Sequence, residues 1–146
     1  MMADKSIIGA SLGTTTFPVE RGKIREFAKA ILDEAPEYLS EDPVAPPTFT
    51  MTSAFWDRVP DGPTPDPGFK DYRRVLHGEQ QFEYLRPVKA GDVLTGASKI
   101  ADVYSKEGSK GGTLYFVVFE TVWRNQDGED AVVSRNIIVE TQKAAV

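Results

Sequence analysis

The sequence lacks cysteine altogether and contains a single histidine, His77, in 146 residues. Without cysteine, the chain cannot form disulfides, thiolate zinc sites, iron–sulfur clusters or a cysteine nucleophile. With one imidazole, it cannot build a metal site that needs two or more histidine ligands from the same chain. We therefore expect neither a metal nor a cofactor.

The sequence also has no long apolar run and no excess of basic charge. Its longest apolar run, residues 114–119, is far shorter than the roughly 20 residues of a membrane-spanning helix. The formal net charge of −5 disfavours binding to a nucleic-acid backbone. The first residues contain no apolar segment as long as that of a signal peptide. These features predict a soluble, cytoplasmic protein that binds neither membranes nor nucleic acids.

The composition that remains is typical of a globular domain. Apolar residues make up 40% of the chain and charged residues 27%, an ordinary balance for a folded protein. The length fits one domain, which we predict over residues 1–146. Helical patterns and proline-rich loops occupy residues 1–75, and long alternating patterns typical of strands occupy residues 76–146.

The first half contains an amphipathic helix and a long loop. Apolar residues at the spacing i, i+3, i+4 and i+7 predict the helix at about residues 20–32. They are Ile24, Phe27, Ala28 and Ile31. Residues 57–74 are rich in proline and glycine, which exclude a helix and a central strand. Such a loop is either a functional lid or a disordered connector.

A second helix is predicted between these two segments. Residues 48–56 carry no charge, and a helix without charged residues is usually buried. Proline at position 47 favours a helix start because its missing N–H would have no helical partner there. We expect Phe49 and Trp56 to contact a sheet and Ala54 to be buried.

The second half predicts an antiparallel sheet of long strands. The predicted strands cover residues 79–85, 93–106, 113–124 and 131–141, with a possible short strand at residues 14–17. Ordinary strands have about five or six residues, so strands of twice that length favour a strongly curved sheet. In the second of these strands we expect Val93, Ala97, Ala101 and Val103 to share one face. Asp127-Gly128 predicts a hairpin between the last two strands.

The strand at residues 113–124 also predicts an assembly. Both of its faces are apolar between Leu114 and Phe119. One face can cover a helix, but the other would stay in contact with water unless a neighbour covered it. We therefore predict a dimer.

Four side chains are candidates for chemistry. Asp33, directly after the first helix, could act as a base or orient water, or it could belong to a solvated acidic turn. Tyr38 could donate a hydrogen bond to a substrate carbonyl, or it could anchor the loop. His77 titrates near neutral pH and could form an acid–base pair with Glu79, or it could be structural. His77 and Glu79 share a face only if the strand already includes His77.

Four segments resemble the MaoC-like dehydratase N-terminal family. They are residues 17–30, 44–49, 76–92 and 125–128, in the order found in the family. The resemblance covers residues 14–141, which we take as the core of the domain. It implies an α+β hot-dog fold, in which a curved antiparallel sheet wraps around a buried central helix. It also implies a dimer, acyl thioesters of coenzyme A or acyl carrier protein as in fatty acid metabolism, and reversible addition of water across a 2,3-double bond.

The sequence departs from this resemblance at the catalytic motif. Active members of the superfamily carry Asp-x-Asn-Pro-x-His after the first helix, where the Asp and His activate water. Here Asp33 and Pro36 match, while Ala35 and Tyr38 replace the asparagine and the histidine. Tyrosine is a poor base at neutral pH because its usual pKa is about 10. The resemblance therefore implies that a partner MaoC-like chain supplies the catalytic pair, and that this chain shapes the acyl pocket.

The sequence thus predicts a subunit of an (R)-specific enoyl-thioester hydratase or 3-hydroxyacyl-thioester dehydratase. The catalytic candidates within the chain are Asp33, Tyr38 and His77. The expected substrate-binding residues are Ala45, Pro46, Pro47, Thr48, Phe49, Glu79 and Gln80. One alternative is a non-catalytic homodimer that binds acyl thioesters. The other is a hot-dog thioesterase that uses Asp33 or Glu79 with His77.

Overall fold

Six antiparallel strands form a sheet in the computed structural model, which describes residues 3–109 and 111–142. The strands are β1 (Ser11–Pro18), β2 (Arg58–Val59), β3 (Val75–Tyr84), β4 (Val93–Glu107), β5 (Thr113–Arg124) and β6 (Asp130–Glu140). Their order across the sheet is β2–β1–β4–β5–β6–β3. The predicted antiparallel sheet is confirmed, and so is the hairpin that joins β5 to β6 at Gly128, whose φ is 77°.

A bulge in β4 changes the faces predicted for that strand. The register between β4 and β5 shifts between Ile100 and Asp102, so residues beyond this point change sides. Val103 is therefore fully buried in the same cluster as Ile100, whereas Val93 and Ala97 are exposed. The predicted common face is wrong because an extra residue interrupts the alternation.

The first predicted helix is confirmed, with a correction at its end. Helix α1 spans Arg21–Ala30 and buries Ile24 and Ala28 completely. Ile31, expected on the same face, is 44% exposed because it follows the last helical turn. Leu32 then takes a φ of 58°, which takes the chain out of the helix. Within the described residues, no helix is long and apolar enough to span a bilayer.

The second predicted helix is a short 3-10 helix, Phe49–Phe55, that is buried only in its first half. Phe49 is fully buried. The exposed residues of the second half are Ala54, Phe55 and Trp56. The expected burial of Ala54 is therefore wrong. Threonine and serine lower the propensity for an α-helix, and the Thr52 hydroxyl donates to the Phe49 carbonyl at 2.8 Å, which competes with regular helical bonding.

Two apolar clusters lie on one face of the sheet, which we call the inner face. The first cluster includes Phe17, Leu94 and Trp123, and it packs against α1 and Phe49. The second cluster is formed by Ile100, Val103, Tyr115 and Val117. Along β4 and β5, the two clusters are separated by polar residues, and the candidate site lies there.

The proline-rich connection between β2 and β3 lies within the predicted loop. Its final part is attached to the sheet by Glu140, which is only 4% exposed. The Glu140 carboxylate accepts hydrogen bonds from the amides of Lys70 at 3.0 Å and Asp71 at 2.9 Å. The Arg74 guanidinium also donates to it, at 2.8 Å. These contacts fix where β3 begins, at the outer edge of the sheet.

Candidate functional site

Asp33 lies in an exposed turn between α1 and a single-turn helix, α2 (Pro36–Leu39). Its amide donates to the Ala28 carbonyl at 2.9 Å. Its carboxylate accepts a hydrogen bond from the Ala35 amide at 3.2 Å. The carboxylate thus stabilises the start of α2 and leaves its remaining lone pairs in solvent.

Tyr38 is buried, and it lies beside a partly buried tyrosine, Tyr84. Both line a small cavity of about 230 Å³. Burial raises the pKa of Tyr38 above its usual value, and the carboxylates of Asp33 and Glu37 raise it further. Burial, with a smaller contribution from Tyr38, raises the pKa of Tyr84 to about 12. The Tyr84 hydroxyl donates to the Pro47 carbonyl at 2.8 Å. Both tyrosines keep their protons at neutral pH, so neither is a base.

His77 lies on β3 at the level of the second apolar cluster, whereas α1 packs against the first. The strand does include His77, but a bulge separates it from Glu79, and both residues are exposed. The Glu79 carboxylate accepts a hydrogen bond from the side-chain amide of Gln81 at 2.7 Å. Among the described residues, the His77 side chain has no hydrogen-bond partner. Across residues 3–109 and 111–142, no hydrogen bond or ion pair joins His77 to Asp33, Tyr38 or Glu79.

A groove of about 610 Å³ crosses the inner face between the two apolar clusters. The 3-10 helix Phe49–Phe55 covers one side of the groove through Thr50, Met51 and Ala54. Both tryptophans of the chain, Trp56 and Trp123, line it. Its volume falls within the usual range of ligand-binding pockets.

The floor of this groove is polar. We call its five residues the polar belt: Gln80, Ser98, Thr121, Ser134 and Asn136. The hydroxyls of Ser98 and Thr121 share a hydrogen bond of 2.7 Å. The Trp123 indole N–H donates to the Ser134 hydroxyl at 3.2 Å.

Three polar atoms around the groove have no partner. They are the side-chain oxygens of Thr50, Gln80 and Asn136, all inaccessible to solvent in the chain alone and without a hydrogen bond among the described residues. Gln80 and Asn136 are directly opposite each other in the β3–β6 register. Buried polar groups normally have hydrogen-bond partners. These three oxygens therefore indicate that the groove is a place where another molecule supplies such partners.

The structure distributes the predicted substrate-binding residues over several places. Gln80 is the one among them that lines the groove. Ala45 and Pro47 line the small cavity beside Tyr38. The members buried in the core are Ala45, Pro46 and Phe49. The exposed members are Pro47, Thr48 and Glu79.

Sequence reasoning missed four members of the polar belt. Ser98, Thr121, Ser134 and Asn136 are polar residues at inward positions of otherwise apolar strands. Strand alternation could have identified each as an inward polar residue. Only the register between strands shows that they form one floor.

Comparison with known proteins gives the family. A family model described as FAS1-like, dehydratase domain region, matches residues 6–134. A UPF0336 protein of Streptomyces coelicolor is 40% identical over 119 residues, which cover 75% of this chain and 79% of that protein.

Solved structures with the same fold confirm the predicted architecture. A C-terminally truncated HadBC complex, a 3R-hydroxyacyl-ACP dehydratase of Mycobacterium tuberculosis, has a TM-score of 0.67 and 23% identity, covering 92% of this chain and 97% of that chain. The ChsH1–ChsH2 complex of the same organism has a TM-score of 0.70 and 21% identity, covering 94% and 87%. A MaoC-like dehydratase of Rhodospirillum rubrum has a TM-score of 0.63 and 16% identity, covering 94% of each chain. The chain therefore belongs to the FAS1-like dehydratase domain region family and has the hot-dog fold of the MaoC-like dehydratases.

Proposed function

We propose that this chain is the acyl-binding subunit of an (R)-specific enoyl-thioester hydratase or 3-hydroxyacyl-thioester dehydratase. A MaoC-like partner supplies the catalytic acid–base pair. The observation that carries this proposal is a contrast within the chain. It has a groove of ligand size, but the segment that resembles the catalytic motif contains an exposed carboxylate and a buried tyrosine.

Hydration of a 2,3-double bond requires one group that takes a proton from water and one that delivers a proton to the substrate. Asp33 could accept a proton, but it stands in solvent and already binds the Ala35 amide. Tyr38 is buried beside Tyr84, and its raised pKa keeps it protonated. His77 lies on another edge of the fold. The acid–base pair therefore comes from a second chain.

The outer edge of the sheet offers a place for that chain. β3 pairs with β6 on one side, and its other side has no strand beside it among the described residues. An edge of ten residues exposes a row of backbone donors and acceptors, which another strand can pair with. The HadBC and ChsH1–ChsH2 structures are likewise described as complexes.

The proposal is tested by hydration of crotonyl-coenzyme A. Three samples are compared: the lone chain, a MaoC-like chain of the same organism with an intact Asp-x-Asn-Pro-x-His motif, and both together. We expect turnover by the pair to exceed that of the lone chain by about 100-fold or more, the usual contribution of a positioned acid or base. Rapid turnover by the lone chain would refute the partner requirement. Release of free thiol from acyl-coenzyme A would favour a thioesterase instead.

A variant of His77 separates a partner-supplied mechanism from a self-contained one. His77→Ala removes the only imidazole of the chain from an exposed position. We expect the assembled pair to keep its full turnover. Loss of turnover with unchanged assembly would place His77 in the reaction and contradict the proposal.

A further inference from the structure

The polar belt is in an unusual place for a pocket that holds a hydrocarbon chain. It lies on the inner face, between the cluster of Phe17, Leu94 and Trp123 and the cluster of Ile100 and Val117. An unbroken alkyl chain laid across it has no donor or acceptor, so it would leave the unpartnered oxygens beside the groove without hydrogen bonds.

The unpartnered side-chain oxygens indicate which chemical groups a well-fitting ligand would need. Thr50 lines the groove and is 2% exposed, and its hydroxyl has no hydrogen-bond partner among the described residues. The side-chain amides of Gln80 and Asn136 meet the same space, and the oxygen of each lacks a donor. A hydroxyl group both donates and accepts, so it can satisfy a hydroxyl and an amide in turn.

The two flanking clusters define the rest of the occupant. Leu12 and Phe119 line the groove on one side of the belt, and Trp123 lines it on the other. An occupant that fits this surface has apolar parts on both sides of a polar middle. The pantetheine arm of coenzyme A has two amides and a hydroxyl separated by short methylene segments and a dimethyl carbon. It therefore has no apolar segment as long as those that an acyl tail offers on each side of a single polar group.

We propose that the groove selects acyl chains that carry a hydroxyl or a similar hydrogen-bonding group in mid-chain, over unbroken saturated chains. This inference rests on the proposed function, because it specifies the acyl chain that the subunit would hold. Thr50, Gln80 and Asn136 are the specificity-determining residues, and they act by hydrogen bonding to the chain away from the reacting carbons.

The test uses the fluorescence of the two tryptophans, both of which line the groove. The full chain is titrated with a saturated long-chain acyl-coenzyme A and with the same thioester bearing one mid-chain hydroxyl. We expect the hydroxylated thioester to bind about tenfold more tightly, the effect of one or two well-placed hydrogen bonds. Equal affinity would overturn the proposal, because it would mean that a mid-chain hydroxyl gains no hydrogen bond in the groove.

Variants with matched shapes identify the residues responsible. Thr50→Val and Asn136→Leu each remove a hydrogen-bonding group while keeping the volume similar, and each should reduce the preference for the hydroxylated chain. Gln80→Met should do the same, whereas Gln81→Met, the next residue along β3, should leave the preference intact because Gln81 points to the other face and is exposed. A preference that survives the substitutions at Thr50, Gln80 and Asn136 would contradict the assignment.

Two further outcomes separate this inference from the proposed function. If the assembled pair hydrates crotonyl-coenzyme A but the two long-chain thioesters bind equally, the function stands and the inference fails. If no thioester changes the fluorescence and the pair is inactive, the function fails and the inference fails with it. If pantetheine alone changes the fluorescence at the same concentrations, the polar belt holds the carrier arm, and the inference about the acyl tail is overturned.

Discussion

At the residue scale, Tyr38 and Tyr84 show how the segment that resembles a catalytic motif packs into the core. Tyr38 takes the place of the histidine in that motif, and its ring is buried and its hydroxyl keeps its proton. Tyr84 supports the same region by donating to the Pro47 carbonyl. The substitution at position 38 could be found from the sequence. The burial of the tyrosine pair could not, because Tyr84 lies on a strand 46 positions away along the chain.

The raised pKa of Tyr84 predicts a loss of stability at high pH. The unfolded chain ionises this tyrosine near its usual pKa of about 10, while the folded chain holds it to about 12. Between these values the unfolded chain binds fewer protons, so the free energy of unfolding falls as the pH rises. We expect urea unfolding to show this fall, and Tyr84→Phe to reduce it. Tyr72→Phe is the control, because Tyr72 is 69% exposed. An identical pH dependence in the Tyr84 and Tyr72 variants would contradict this account.

The 3-10 helix Phe49–Phe55 shows at the element scale what a local pattern can and cannot predict. The absence of charge correctly marked the segment as one that packs on the sheet. It did not predict where packing stops, because the boundary depends on α1 and on the curvature of the sheet. Phe49 packs edge-to-face on Phe27, with ring centroids 5.6 Å apart. Phe55, six residues later, is 83% exposed.

This difference predicts opposite results for the same substitution. Phe49→Ala should lower the free energy of unfolding by about 3–5 kcal/mol, because it leaves a cavity between α1 and the sheet. Phe55→Ala should change it by less than about 0.5 kcal/mol, as expected of a surface position. Urea unfolding of the lone chain measures both. A similar loss for the two variants would mean that the second half of the segment is packed in solution.

The strands could be located from the sequence, but the surface that they form together could not. β5 has the predicted bounds, β4 ends one residue later than predicted, and β6 begins and ends one residue earlier. β3 begins four residues before its predicted start and ends one residue earlier. Alternation within a strand is a local signal, so it survives without knowledge of the fold. The bulge at Asp102 and the alignment of the polar belt depend on pairing between distant strands, and no local signal specifies them.

At the scale of the whole molecule, the two edges of the sheet are unequal. The β2 edge has only two residues, a length that offers little to another strand. The β3 edge has ten residues and no neighbouring strand among the described residues. Natural sheets protect a long edge by covering or pairing it. We therefore expect the dimer that the sequence predicts from the apolar faces of residues 114–119 to form along β3.

The last prediction uses this asymmetry between the edges. Leu76 on β3 is 42% exposed and Val59 on β2 is 64% exposed, so a lysine at either position should be tolerated by the lone chain. In an assembly along β3, Leu76→Lys would place a charge at the contact between two strands, and the charge would lose hydration there. We expect sedimentation velocity to show that Leu76→Lys weakens association with a second copy or with the MaoC-like partner, whereas Val59→Lys associates as the unmodified chain does. Urea unfolding of both variants checks that the fold is kept. The opposite order of effects would place the interface at the β2 edge. Assembly would be refuted altogether if the unmodified chain stayed monomeric at micromolar concentration, both alone and with the partner.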